Sequence, residues 1–221
     1  MVEEFRRPQD SAKIFRDLNE KFAHNLGKSL ACDAQLLDNA ERQARDIADV
    51  GSMVSQQFAQ TIHHREMASI FSEVFADLIC SIYLSSIGLD RPAETVLRRA
   101  LELGVSVVFL WDCPHIYFGW KCHDKDLSFT EMLSHLDSAP YKSFLKAVEP
   151  TYEGKDILNS SDLQRIYRHL SNTIHGKLAS FEVVLPDRYS HSPADWHTHL
   201  ELVISVEKSL LQLWRARFPR K

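Results

Sequence analysis

The stretch Arg168-His169-Leu170-Ser171-Asn172-Thr173-Ile174-His175-Gly176 gathers the residue types that phosphate chemistry needs. Arg168 and His175 stand seven positions apart, close to two helical turns. On a helix they share one face, ~10 Å apart along the axis, with Asn172 between them. A planar cation can hold phosphate oxygens, and an imidazole can move a proton near neutral pH. Together they point to RNA cleavage. Ser171 and His169 are the supporting polar groups. A plainer role is open at this level: a histidine directly before Gly176 can simply bond the free carbonyls of a helix end. Arg168 can equally be a solvated or ion-paired side chain.

The elements that must position this strip read as helices. The chain has 221 residues, with 7 glycines and 8 prolines, and so few breaks. Its apolar share of 44% and charged share of 25% are those of an ordinary globular chain. The formal net charge of -4 excludes a generally basic nucleic-acid binder but leaves room for a local basic site. The cysteines Cys32, Cys80, Cys113 and Cys122 form no CxxC pair, and the start of the chain lacks an apolar signal core. Reduced thiols and a cytoplasmic location are expected. The apolar run from Gly104 to Trp111 is too short to span a bilayer, so no membrane association is expected.

A first helix is expected over residues 9–26, closed by Gly27. A rather polar helical stretch follows from Lys28 to about His63, kinked at Gly51. Its narrow apolar stripe suits an arm or partner surface better than a core helix. Residues 1–62 therefore read as an N-terminal helical arm and 63–221 as a helical bundle. A broad apolar face runs from Met67 to Tyr83, and Gly88 stops that helix. Asp90-Arg91-Pro92 opens the next, apolar almost all round after Leu101, with a strand as a minority reading because of Val105, Val107 and Val108. Residues 112–159 read as an insertion of short helices and loops. Ser128-Phe129-Thr130-Glu131 is a capping box within it, and Pro140, Pro150 and Gly154 punctuate the remainder. Ser161-Asp162-Leu163-Gln164 is a second capping box, starting the helix that carries Arg168. Gly176 ends that helix, and residues 181–185 form a short extended piece. Ser192-Pro193-Ala194-Asp195 caps a last helix running to about Phe218.

Long helices with a late Arg-His pair resemble the HEPN superfamily (higher eukaryotes and prokaryotes nucleotide-binding domains). The superfamily pattern is an arginine, usually followed by a polar residue, then a histidine after four to six intervening positions. Here Arg168 is followed by His169, and six residues separate it from His175. A second pair of segments resembles poorly characterised bacterial HEPN-like chains: Leu97-Arg98-Arg99-Ala100-Leu101-Glu102, and Tyr167-Arg168-His169-Leu170-Ser171 with His175-Gly176. The resemblance covers roughly residues 69–214.

The resemblance implies an all-α, HEPN-like helical bundle. It also implies a metal-independent endoribonuclease that works as a homodimer without cofactor, in a toxin or antiphage-defence setting. The ribose 2′-hydroxyl would attack the adjacent phosphate and expel the 5′-oxygen. His175 would serve as general acid or base, Arg168 would hold the phosphate, and Asn172 or Ser171 would orient it. Two such strips meeting across a dimer would complete a cleft. The alternative is a non-catalytic helical module that binds a nucleotide, RNA or a protein partner, the last through the N-terminal arm. Some HEPN toxins carry a tyrosine two positions after the histidine, modified by a partner nucleotidyltransferase. Lys177 stands there instead, which argues against that pairing.

Arg98 and Glu102, four apart on the most apolar helix, are read either as a structural ion pair or as a pair in which Glu102 orients Arg168 or His175. His191, His197 and His199 tempt a metal reading. Positions 197 and 199 point to different sides of a helix, however, and no Cys-His cluster completes a shell, so no metal is expected. His63-His64 fit a helix junction. Arg215, Arg217, Arg220 and Lys221 read as a basic tail that could meet RNA, with a solvated terminus the preferred reading.

Overall fold

The structure, a computed structural model, describes residues 12–174 and 189–220. Among these the fold is all-α. Its helices are α1 (Lys13–Ala31), α2 (Ala34–Gln57), α3 (Ile62–Ser86), α4 (Asp90–Asp112), α5 (Pro114–His123), α6 (Phe129–Leu136), α7 (Ala139–Val148), α8 (Ser160–Ile174) and α9 (Pro193–Arg217). The expectations placed on His175, Gly176, Lys177 and residues 181–185 lie outside the described residues.

The helices α3 and α4 form the central hairpin. Thr61 caps α3 by accepting from the His64 amide, at 3.1 Å. Gly88 ends the hairpin's first arm with φ of 84°, a left-handed conformation that a side chain would resist. A Cβ there would also lie 2.8 Å from the Asn25 amide nitrogen. By length and composition α3 could cross a bilayer, with a mean hydropathy of 1.6 over its most apolar window. Its Met67, Phe71, Val74 and Leu78 instead fill the core, where α3 meets α4, α2 and α9. The run from Val105 to Trp111 is helical, not extended, and lies in the same core.

Two close crossings set the layers. At Gly104 an added Cβ would sit 2.6 Å from Leu210, so α9 presses directly on the α4 backbone. Trp214 Nε1 donates to the Gly104 carbonyl at 2.8 Å in that crossing. At Gly51 a Cβ would fall 2.6 Å from the Cβ of Phe71. Gly51 does not break α2, which runs through it as one helix. The glycine serves the approach of α3.

The second helix corrects the reading of an arm. Ala40, Ala44, Ile47, Val50 and Val54 are buried, and α2 packs on α9 and α3. A narrow stripe is enough for burial when the facing helices supply the rest of the core. Within residues 12–62 it is α1 that is peripheral, packing on α3 alone among the larger helix contacts. It also runs past Gly27 to Ala31. The break comes at Asp33, held at φ of 52° with its carboxylate 3.1 Å from His197 Nδ1. A tertiary contact, not the glycine, places that boundary.

The insertion is largely helical. Ser128 caps α6 by accepting from the Glu131 amide. Pro140 occupies the first turn of α7, behind the Ser138 cap, and is a start rather than a break. Ahead of α8 the capping side chain is Asn159, whose Oδ1 accepts from the Asp162 amide at 3.3 Å, two residues earlier than the Ser161 box. Ser192 caps α9 on the Asp195 amide.

The basic tail is also corrected. Arg217 is buried, forming a two-pronged contact with Asp112 at 2.8 and 2.7 Å and reaching Glu149 at 3.2 Å. Tyr141 donates to Asp112 at 2.8 Å. This network ties the end of α9 to α4 and α7.

Candidate functional site on the face between α4, α8 and α9

Helix α8 buries Leu163, Ile166 and Leu170. Their three- and four-residue spacing turns Arg168, His169 and Asn172 outward, and all three are exposed. Arg168 has no hydrogen-bond or ion-pair partner among the described residues. Ser171 is half-buried and donates to the Tyr167 carbonyl at 2.7 Å. Its hydroxyl proton is thus committed to the helix rather than to a ligand.

His169 is not a bystander. Its Nε2 lies 3.7 Å from Glu94 Oε1, an ion-pair separation rather than a short hydrogen bond. Thr173, one turn further, donates to the other oxygen of Glu94. The Glu94 contact raises the pKa of His169 above its ordinary value, against the opposing effect of burial. For Glu94, burial is the largest influence and acts upward, but the contacts with His169 and Thr173 and the neighbouring imidazoles bring the net shift below the ordinary value. The contact therefore favours the imidazolium form of His169 and the carboxylate form of Glu94.

Behind it lies His199, buried on α9, with Nε2 2.9 Å from Ser81 Oγ. Ser81 spends its only proton on the Ala93 carbonyl, so its oxygen accepts and His199 carries its proton on Nε2. Burial lowers the His199 pKa to about 4 and keeps the ring neutral. His197 turns the other way, to Asp33 and Glu201. Asp90 accepts from Ser85 at 2.9 Å, and burial, followed by Asp195 and Glu94, pushes its pKa up.

An open cavity of about 510 Å³ lies over this cluster, lined in part by Asp90, Glu94, His169, Asn172, Asp195 and His199. The carboxylates of Asp90, Glu94 and Asp195 share this lining with Arg91 and His169, so it presents both signs of charge. Among the described residues, no three His, Cys, Asp or Glu side chains come together as a metal shell.

Arg98 and Glu102 do form the ion pair, at 3.0 Å. Glu102 contacts Arg98 rather than Arg168. Arg98 also donates to the Tyr167 hydroxyl at 2.8 Å and lies 4.7 Å from the centre of that ring. The orienting carboxylate on α4 is Glu94. A signal for it was present: Asp90, Glu94, Arg98 and Glu102 recur every four residues, a charged strip along one side of α4. That strip lies along α8, with Glu94 at His169 and Thr173 and Arg98 at Tyr167. His63 and His64 fill a helix junction, packed on Tyr117 and stacked on Trp111.

No protein family, curated protein or solved structure matches this chain.

Proposed function

We propose that the protein is a metal-independent endoribonuclease of HEPN type, active as a homodimer, in a toxin or antiphage-defence role. The observation that carries the reading is the outward placement of Arg168 and Asn172 on α8, beside a histidine that pairs with Glu94 in the lining of an open cavity. In this reading Arg168 binds the non-bridging phosphate oxygens and offsets their developing charge. A base removes the proton of the ribose 2′-hydroxyl, whose oxygen bonds to phosphorus. The bond from phosphorus to the 5′-oxygen breaks, and an acid protonates that oxygen, leaving a 2′,3′-cyclic phosphate. His175 takes one proton-transfer role, and His169 is a candidate for the other. Asn172 orients the phosphate, and a second protomer's strip closes the cleft. The test is cleavage of mixed RNA in chelator by wild type, Arg168→Ala and His175→Ala. Loss of cyclic-phosphate products in both variants supports the reading. Equal background in all three overturns it.

A second reading is favoured by α1, which exposes Ile14 at 73% and Phe15 at 75%. Exposed apolar side chains on a peripheral helix suit a protein partner. Deleting residues 1–62 would remove core helix α2, so the test is Ile14→Ser with Phe15→Ser in the full chain. In this reading a purified partner dissociates from that variant and still binds His175→Ala. A partner that binds the α1 variant unchanged contradicts it.

A further inference from the structure

A second, smaller cavity of about 200 Å³ lies between α4, the end of α5 and α6. Leu103, Leu127, Phe129 and Met132 make most of it apolar, Trp120 supplies an aromatic wall, Ser106 lies in the lining with its hydroxyl bonded to the Leu103 carbonyl, and Glu102 puts a carboxylate at one edge. That is room for one flat ring system and little more. Trp120 is 37% exposed, whereas Trp111, Trp196 and Trp214 are at 3%, 1% and 0%. An indole left half in solvent beside an apolar slot offers a stacking surface.

The edge has defined hydrogen-bond chemistry. Arg98 Nε reaches Glu102 Oε1, leaving Oε2 and further lone pairs as acceptors with a fixed orientation. A carboxylate held in this way selects a ring that presents neighbouring N–H donors. Outside the slot, cations and carboxylates alternate: Lys121 is paired with Glu66 at 2.6 Å, and Lys125 stands between Asp124 and Asp126. Asp124 ends α5 at φ of 47°, which folds Lys125 back over Gly119, and Lys121 and His123 sit in the last turn of α5. Lys125 is the cation there that could meet a phosphodiester attached to the bound ring.

The slot is also tied to the outward strip of α8. Its wall residue Phe129 stacks on Tyr167, with centroids 4.2 Å apart and planes 15° apart. Its edge residue Glu102 binds Arg98, which binds Tyr167. Tyr167 immediately precedes Arg168. We propose that this cavity is a nucleobase subsite, with the ring stacked on Trp120 and guanine preferred because its adjacent N1–H and N2–H donors match the Glu102 carboxylate. The choice of an RNA base as ligand rests on the ribonuclease reading; the binding itself does not require cleavage.

The experiment titrates the full-length protein with GMP, AMP, CMP and UMP and follows tryptophan emission, in which Trp120 is the solvent-facing reporter. GMP is expected to give a saturable change, with the other nucleotides weaker. Trp120→Leu abolishes the change. Glu102→Gln keeps the far-ultraviolet dichroism and weakens GMP about tenfold, bringing it level with AMP. No saturable change with any nucleotide, or equal responses that Glu102→Gln does not alter, overturns the subsite. A protein that binds GMP but leaves RNA intact keeps the subsite and loses the nuclease reading. One that cleaves RNA without base preference or emission change does the reverse.

Discussion

Glu94 of α4 faces His169 of α8 at 3.7 Å, with Thr173 bonded to the same carboxylate. The contact joins two residues 75 positions apart (169 − 94) and sets an imidazole against a carboxylate in the lining of the larger cavity.

The pair has a pH window. The folded pKa of His169 is raised, so its contribution to stability is complete below the unfolded value of about 6.5 and is lost as pH rises through the folded value. The folded pKa of Glu94 is lowered, so its contribution is present above about 4.5 and is lost as pH falls through the folded value. Nuclear magnetic resonance of the His169 ring should show a midpoint above 6.5, falling in Glu94→Gln. A wild-type midpoint at or below 6.5 would contradict the pairing.

Glu207 is 0% exposed in the core, and neither of its carboxyl oxygens has a partner among the described residues. Burial raises its pKa to about 9, so it is folded as the neutral acid. Folding is unpenalised below about pH 4.5 and loses stability from there up to about 9. Near neutral pH the cost is about 3 kcal/mol. Glu207→Met is expected to recover most of this at pH 7 and to flatten the pH dependence. Urea unfolding of both proteins at pH 5 and pH 8 measures it. A stability difference that does not grow between those pH values would refute the assignment.

Arg217 neutralises Asp112 and Glu149 inside the protein. Arg217→Met leaves two carboxylates without their cation and is expected to cost about 3–5 kcal/mol. Adding Asp112→Asn should restore part of that loss. If the double variant is no more stable than the single one in urea, the penalty is not electrostatic.

Three glycines separate packing from helix propensity. Gly104→Ala and Gly51→Ala push a methyl to within 2.6 Å of Leu210 and Phe71. Each should destabilise by about 1–3 kcal/mol, outweighing the gain in propensity. Gly27 is in α1 with nothing within 4 Å of an added Cβ. Gly27→Ala should stabilise the protein by up to about 1 kcal/mol. Thermal midpoints that move the same way for all three would defeat this account.

Much of the frame is legible along the chain because its signals are local. The Ser128 and Ser192 caps act on amides three residues away, Gly88 adopts its own positive φ, and Leu163, Ile166 and Leu170 select the inner face of α8 by spacing alone. These choices need no partner from elsewhere, so the order of helices and the outward turn of Arg168 and Asn172 follow from sequence. Where a distant group decides, local signals mislead. The break at Asp33 depends on His197, the burial of α2 on α9 and α3, and the burial of Arg217 on Asp112 and Glu149. The charged strip Asp90, Glu94, Arg98 and Glu102 was visible as a period of four. Only the packing of α8 against α4 assigned its members, giving Glu94 to His169 and Arg98 to Tyr167. A carboxylate is defined by the cation it meets, and that meeting is set by how helices cross rather than by the order of residues.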